Sequence, residues 1–262
     1  MATLSMRSLA AVVLAAGKGT RMGGDIPKVC HELDGRPLIA HVLEAIAPLS
    51  PQRVILVVGY RAEAVAGAVR AFSTLPVEYV RQEEQRGTGH AVAMAEELLR
   101  DFDGDVLIRY GDTPLIRTET LARLYATYRS SRASGALLTA LLENPTGYGR
   151  IIRDPHGRVV RIEEEKSATE TERRIREINA GAYCYRARPL FRALKNLRPN
   201  SANGEYYLTD AVRVLAEHGR SVVALPAALP EEVLGVNTLE QLRTVSNVRT
   251  SLFSGHNDSV NA

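Results

Sequence analysis

The amino-acid sequence predicts an α/β fold of the Rossmann-like, doubly wound type: a mostly parallel sheet with helices on both faces, joined to a small β-hairpin lobe. Three observations lead there. Through the first half of the 262 residues, apolar runs of strand length alternate with stretches of helical period, the pattern of successive βαβ units. Each helical stretch is long enough to serve as a right-handed crossover between parallel strands. After residue 144 the pattern changes to two short strands about Asp154-Pro155-His156-Gly157, a sequence suited to a hairpin turn.

The elements follow in order. Leu9-Ala10-Ala11-Val12-Val13-Leu14-Ala15 is an unbroken apolar run, as expected of a strand buried on both faces. Arg7 in front of it gives the look of a short signal-peptide core, but the run is too short to cross a membrane and leads straight into a glycine-rich loop. It is therefore read as the first strand. Further strands are expected at 53–58, 77–81, 105–109 and 134–141, separated by amphipathic helices at 37–46, 62–71, 88–99 and 118–128. Residues 149–153 and 159–164 form the hairpin, and 178–185 another strand. The stretch 163–177 is crowded with charge, the usual mark of a solvated segment. Helices at 189–197, 207–218 and 239–251, with a short strand at 222–225, complete the fold, and the small polar residues of 250–262 are expected to form an unstructured tail.

Hydrophobic residues make up 45% of the chain and charged residues 24%, enough to bury one sizeable core. No Gly/Ser- or Pro-rich linker divides it, so one domain over 1–249 is expected. The net charge of +3 arises from 33 basic and 30 acidic residues scattered along the chain, which argues against nucleic acid as a partner. No stretch has the length and apolarity of a membrane span. Cys30 and Cys184 have neither a C-x-x-C spacing nor companion histidines, which argues against a zinc site or a disulfide framework. Both are read as small core residues in a protein of the reducing cytoplasm. The chain has no internal repeat, and in particular no hexapeptide period of a parallel β-helix.

The first strand opens into Gly17-Lys18-Gly19-Thr20-Arg21-Met22-Gly23-Gly24, with Pro27-Lys28 ahead of the next helix. Glycines let backbone N–H groups approach phosphate oxygens, while Arg21 and Lys28 add fixed positive charge. Taken alone, such a loop is a weak signal. Two common templates drop away: Met22 stands where a dinucleotide G-x-G-x-x-G loop needs its third glycine, and the Walker A pattern is absent.

The run from Leu14 through Ala15, Ala16, Gly17, Gly19, Thr20 and Arg21 to Met22, with Pro27-Lys28 just after, resembles the signature loop of the sugar-1-phosphate nucleotidyltransferases. Within that superfamily it is most similar to the N-acetylglucosamine-1-phosphate uridylyltransferases, the N-terminal domains of bifunctional bacterial enzymes. The similarity continues in order through Gln82-Glu83-Glu84-Gln85-Arg86-Gly87-Thr88-Gly89-His90, Tyr110-Gly111-Asp112-Thr113-Pro114-Leu115, Asn144-Pro145-Thr146-Gly147-Tyr148-Gly149-Arg150 and Glu164-Glu165-Lys166. It then passes through Glu177-Ile178-Asn179-Ala180-Gly181, Asn203-Gly204-Glu205-Tyr206-Tyr207-Leu208-Thr209-Asp210 and Gly235-Val236-Asn237, so it covers roughly residues 8–245.

The resemblance implies a fold of the nucleotide-diphospho-sugar transferase type, with a nucleotide-binding half at 8–143, a sugar-binding half at 144–237 and a C-terminal helix at 238–251. It implies UTP and N-acetylglucosamine 1-phosphate as substrates, UDP-N-acetylglucosamine and pyrophosphate as products, and Mg²⁺ as cofactor. The attacking phosphate is already anionic, so neither a protein nucleophile nor a general base is needed, and catalysis rests on positioning and charge neutralisation. Arg21, Lys28 and Asp112 would be the catalytic set. Asp112 and Asn237 would hold the metal, although a lone Asp after Gly ordinarily serves a turn or cap. Leu14, Ala15, Ala16, Gly17, Gly19, Thr20, Gln82, Gly87, Thr88, Tyr110 and Gly111 would bind the nucleotide, Gln82 through its two-faced amide. Gly149, Glu164, Asn179, Tyr206 and Thr209 would bind the sugar. Lys166 could steer the sugar phosphate or form a local salt bridge, and His90 is read as helix-start packing.

Some features depart from the family pattern. The β-helix acetyltransferase domain of the bifunctional relatives is not among these residues, so no acetyl transfer is expected and the oligomeric state stays open between monomer and dimer. Ala180 stands where the family usually has Thr, and Ser201 lies in a segment that is often Asn-rich. Both flank the sugar site, which keeps open a relaxed specificity for glucose 1-phosphate, glucosamine 1-phosphate or dTTP. A non-catalytic sugar-nucleotide sensor is the reading from another class; it would have lost Asp112, Lys28 or Asn237, and all three are present.

Overall fold

The computed structural model describes residues 8–254 apart from Gly24 and Ala202; Arg7 and the tail from 255 onward lie outside the described residues. The strands are β1 (Leu9–Ala15), β2 (Glu32–Leu33), β3 (Arg36–Pro37), β4 (Arg53–Val58), β5 (Val77–Arg81), β6 (Asp105–Tyr110), β7 (Gly135–Leu141), β8 (Arg150–Arg153), β9 (Val159–Glu163), β10 (Glu177–Arg186) and β11 (Val222–Pro226). The helices are α1 (Leu38–Ile46), α2 (Ala62–Phe72), α3 (Thr88–Ala93), α4 (Thr118–Ser130), α5 (Glu170–Arg173), α6 (Ala187–Lys195), α7 (Asp210–Glu217) and α8 (Leu239–Ser254).

The main sheet runs β11-β7-β10-β6-β1-β4-β5. β1 lies in its interior, parallel to β4 on one side and β6 on the other, which explains its wholly apolar sequence. Its alternate residues divide between two hydrophobic layers. Ala10 and Val12 face a layer with Leu190, Phe191, Val212 and Leu215 of α6 and α7. Ala11 and Val13 face the opposite layer with Ile39, Leu43, Val65, Leu121 and Leu124 of α1, α2 and α4. A smaller cluster of Met22, Leu33, Leu38, Leu115, Val236 and Val245 ties the glycine-rich loop to α8.

The two halves of the chain share this core. β10 inserts antiparallel between β6 and β7, β11 pairs parallel with β7, and the β8–β9 hairpin hangs from β10 through the pair Ile178 and Arg150. The hairpin turn is built as expected: the Asp154 carboxylate accepts from the backbone N–H groups of His156 and Arg158, and Gly157 takes φ 79°.

Four details differ from the sequence expectation. A short β2–β3 hairpin precedes α1, turning at Asp34-Gly35 with φ 51° and 72°, the left-handed pair such a turn requires. α3 stops at Ala93, after which Ala95 and Glu96 donate to the carbonyls three residues back at 3.0 Å, so the expected helix to residue 99 tightens into turns. α7 begins at Asp210 rather than 207, because the backbone just before it is committed to α3. The Tyr206 carbonyl accepts from Gly89 N–H at 2.7 Å and Leu208 N–H donates to Thr88 Oγ1 at 2.9 Å. Finally, α8 continues to Ser254, into the segment expected to be unstructured. Among the described residues no helix is long and apolar enough to cross a membrane.

Candidate active site

Because β1, β4, β5 and β6 run parallel, the loops leaving their C-terminal ends converge, and the crevice there is the usual ligand site of such sheets. In this chain it is a cleft of about 320 Å³. Leu14, Ala15, Ala16 and Gly17 line it after β1, Gln82, Gln85, Gly87 and Thr88 after β5, and Tyr110 and Asp112 after β6, with Lys28, Val29, Ala91 and Glu205 closing it.

At one end four predicted side chains meet. The Lys28 ammonium forms an ion pair with the Asp112 carboxylate and donates to Asn237 Oδ1 at 3.0 Å; Arg21 Nη2 donates to the same oxygen at 3.2 Å. Three segments distant in sequence are thus gathered on two oxygens. Gly19 makes the approach of Lys28 possible: its φ is 69°, and a Cβ there would lie 2.6 Å from the Lys28 Cβ. Asn237 is placed from the Asp112 side, since Val236 N–H donates to the Asp112 carbonyl at 2.9 Å. Among the described residues no group of three or more His, Cys, Asp or Glu could form a protein-only metal cage. A carboxylate and a carboxamide oxygen converging on one ammonium suit a hard cation that takes its remaining ligands from phosphate and water.

Along the cleft, Gly17 lies outside the left-handed region and a Cβ on it would meet no protein atom within 4 Å. The loop backbone is therefore open to a ligand there. The Ala16 carbonyl is held by Gln85 Nε2 at 2.8 Å and by Tyr60 N–H at 3.3 Å. Gln82, only 3% exposed, donates its amide nitrogen to the Gly87 carbonyl at 3.0 Å and pairs with His90 Nδ1 at 2.9 Å. Its amide oxygen has no partner among the described residues and is left to accept from a ligand donor. His90 thus supports Gln82. Gly87, at φ 95°, opens α3, and a Cβ on it would stand 2.5 Å from the Tyr206 carbonyl.

Beyond Tyr110 lies a polar group made of the predicted sugar residues. Thr209 Oγ1 donates to Glu164 Oε1 at 2.8 Å, and burial raises the Glu164 pKa while that hydroxyl pulls it down. Asn179 is buried; its Nδ2 donates to the Tyr183 hydroxyl at 2.6 Å and its backbone N–H to the Gly149 carbonyl at 2.9 Å. A Cβ on Gly149 would come within 3.6 Å of Glu164 Oε2 and 3.7 Å of Asn179 Cβ, so the three form one wall. At the β-bulge between Asn179 and Tyr183 the left-handed Gly181, whose Cβ would strike the Tyr110 ring at 2.7 Å, packs β10 against Tyr110, which lines the cleft. The Tyr206 ring stands beneath the Arg86 guanidinium, 5.2 Å away.

Three predicted nucleotide residues are not among those lining the cleft. Gly19 acts through Lys28, Thr20 is exposed in the turn Thr20–Met22, and Gly111 permits the close contact of β6 with β1, donating to the Leu14 carbonyl at 3.0 Å. Lys166 is exposed and makes no ion pair among the described residues; its acidic neighbours Glu163 and Glu165 are taken by Arg161 and Arg150. Cys30 and Cys184 are free thiols. Cys184 is wholly buried, and Cys30 is half-buried with its pKa raised by burial to about 11. Gln85, Val29, Ala91 and Glu205 belong to the cleft without having been singled out. Arg109, near the end of β6, is fully buried and donates Nη2 to the Thr113 carbonyl at 2.8 Å. Burial lowers its pKa to about 9 against the pull of Asp112 and Glu232.

The chain is 46% identical over 237 residues to the bifunctional protein GlmU of Pelotomaculum thermopropionicum, covering 90% of this chain and 51% of that protein. It is 49% identical over 237 residues to the bifunctional protein GlmU of Geobacter metallireducens, covering 90% and 49%. It therefore spans about half the length of the curated relatives it matches. Among solved structures, UDP-glucose pyrophosphorylase complexed with UDP-glucose superposes with a TM-score of 0.75 at 19% identity, over 94% of this chain and 99% of the other, which shows the same fold. The MobA-like NTP transferase domain matches residues 11–198, from β1 through α6 and including Arg21, Lys28, Asp112 and Asn179, and the chain belongs to that family.

Proposed function

We propose that this chain transfers UMP from UTP to N-acetylglucosamine 1-phosphate, forming UDP-N-acetylglucosamine and releasing pyrophosphate. The observation that carries the reading is the convergence of Lys28, Arg21, Asp112 and Asn237 at the end of a cleft floored by the glycine-rich loop. The ordered motifs and the 46% identity to a bifunctional GlmU protein support it.

The cleft would take the nucleoside triphosphate, with its base toward Gln82 and Gly87 and its phosphates toward Gly17, Lys28 and Arg21. Gln82 offers an amide oxygen to an N–H on the base edge, the match a pyrimidine imide provides. The sugar phosphate would lie between Tyr110 and the wall of Gly149, Glu164 and Asn179, where Glu164 accepts from a hydroxyl. Held in line, a phosphate oxygen of the sugar attacks the α-phosphorus, and pyrophosphate leaves on the opposite side. Lys28 and Arg21 neutralise charge that builds on the transferring phosphoryl group and on pyrophosphate. A divalent cation, Mg²⁺, would be held by Asp112 and Asn237, whose oxygens now share the Lys28 ammonium, and would add Lewis-acid stabilisation of the phosphate oxygens. Both cysteines being free thiols fits the reducing cytoplasm.

The test is pyrophosphate release from UTP, dTTP, CTP, ATP and GTP against N-acetylglucosamine, glucosamine and glucose 1-phosphates, with Mg²⁺ and with chelator. A dominant Mg²⁺-dependent signal for UTP with N-acetylglucosamine 1-phosphate is expected. Preference for another pair would move the substrate, and silence throughout would favour a non-catalytic sensor.

A further inference from the structure

Two segments carry the oxygens that converge on Lys28. One leaves β6 through Asp112 and enters α4; the other passes from the turn Pro230–Val233 to Asn237. They are joined near the oxygens by the hydrogen bond from Val236 N–H to the Asp112 carbonyl, 2.9 Å. They are joined again at their far ends by Glu232, a carboxylate with 0% exposure. Its Oε1 accepts from Arg117 Nε at 2.9 Å and Nη2 at 2.6 Å, and its Oε2 from Thr120 Oγ1 at 2.6 Å. All these donors belong to the start of α4, so one carboxylate ties the segment bearing Asn237 to the segment bearing Asp112. Arg109 braces the segment bearing Asp112 through the Thr113 carbonyl.

A buried ion pair is a poor means of adding stability, since well-packed apolar residues do as well without the desolvation cost. What the pair does provide is fixed geometry: two guanidinium N–H groups on Oε1 and a hydroxyl on Oε2 hold both oxygens of the Glu232 carboxylate in place. Mg²⁺ demands near-ideal octahedral geometry from few protein ligands, so the separation of its two protein oxygens governs how well it is held. We infer that Glu232 is a positioning residue, which by clamping the turn Pro230–Val233 to the start of α4 sets the spacing of Asp112 and Asn237 for a divalent cation. The inference rests on the metal-assisted transfer proposed above.

The experiment titrates MgCl₂ into wild type, Glu232→Ala and Glu232→Gln with UTP and N-acetylglucosamine 1-phosphate, and measures in parallel the rise in Tm that MgCl₂ produces in the presence of UTP alone. Asp105→Asn, which weakens another wholly buried carboxylate paired with Arg129, reports a purely structural lesion. The expected result is a roughly tenfold higher half-saturating Mg²⁺ for Glu232→Ala, within the range usual for lost outer partners of a metal ligand, and a smaller Mg²⁺-dependent rise in Tm. Glu232→Gln should fall between it and wild type, and Asp105→Asn should lower Tm without moving the Mg²⁺ requirement. Wild-type Mg²⁺ dependence in both Glu232 variants, or an equal shift in Asp105→Asn, would overturn the inference; if Glu232→Ala does not fold, Glu232→Gln alone decides. A wild type indifferent to Mg²⁺ would instead overturn the functional reading, and this inference with it.

Discussion

Gly19 and Lys28 pack so closely that a Cβ at position 19 would lie 2.6 Å from the Lys28 Cβ. The contact links a backbone choice in the loop to the position of the cation that pairs with Asp112. Gly19→Ala is expected to cost about 1–2 kcal/mol for the left-handed φ and to displace Lys28, lowering kcat/KM about 100-fold. Gly17→Ala is its counterpart: the position is not left-handed and is open to the cleft. That variant should keep or gain stability, by up to about 1 kcal/mol, while raising KM for UTP. Denaturant unfolding and steady-state kinetics separate the two, and similar behaviour of both variants would contradict the assigned geometry.

Removing the paired charges should separate chemistry from folding. Lys28 and Asp112 have side chains 18% and 16% exposed, and each retains a polar neighbourhood when the other is lost. Lys28→Ala and Asp112→Ala are expected to lower turnover by about 10²–10³-fold or more while far-UV circular dichroism and cooperative melting persist. Full activity in either folded variant would remove the proposed mechanism.

The parallel core was legible because a central strand covered on both faces must be apolar throughout, as Leu9–Ala15 is. The place of β10 was not legible: a periodicity of two marks a strand but not its neighbours, and only the structure shows Glu177–Arg186 antiparallel between β6 and β7. The residues at one end of the cleft were readable as motifs, and the structure brings Arg21, Lys28, Asp112 and Asn237 together. Gln85 and Glu205 escaped because a polar residue in a charged loop carries no signal of its own. Arg109 did leave one, an arginine directly after Val106-Leu107-Ile108 in the same strand, since a buried guanidinium there requires a reason.

Glu164 supplies a pH test. Burial lifts its pKa above the ordinary glutamate value, about 4.3, so the folded state binds this proton more tightly than the unfolded one. The resulting stabilisation is present below the unfolded pKa and is lost as pH rises through the folded value. Glu164→Gln should therefore be at least as stable as wild type near neutrality, with a higher Tm, and the advantage should vanish on acidification. In wild type, KM for the sugar phosphate should rise as acid protonates the acceptor oxygen, at higher pH than an exposed glutamate would allow. A Tm difference independent of pH would exclude the ionised, half-enclosed carboxylate.

Chelation should abolish turnover without loosening the fold. The oxygens that the proposed function assigns to a cation are one carboxylate and one carboxamide, Asp112 and Asn237, and both have the Lys28 ammonium as partner. In the absence of nucleotide this ammonium already satisfies them, so a divalent cation adds little to the stability of the free protein, and EDTA should leave its Tm unchanged. With UTP present, phosphate oxygens would complete the coordination, and binding of the pair stabilises the folded state by an amount that grows with the logarithm of ligand concentration above Kd. Differential scanning fluorimetry with MgCl₂, UTP and EDTA, singly and together, should thus show a Tm rise only when MgCl₂ and UTP are combined. A rise with MgCl₂ alone would mean a preformed protein cage, and a rise with UTP that EDTA does not diminish would mean that Lys28 and Arg21 hold the triphosphate without a metal.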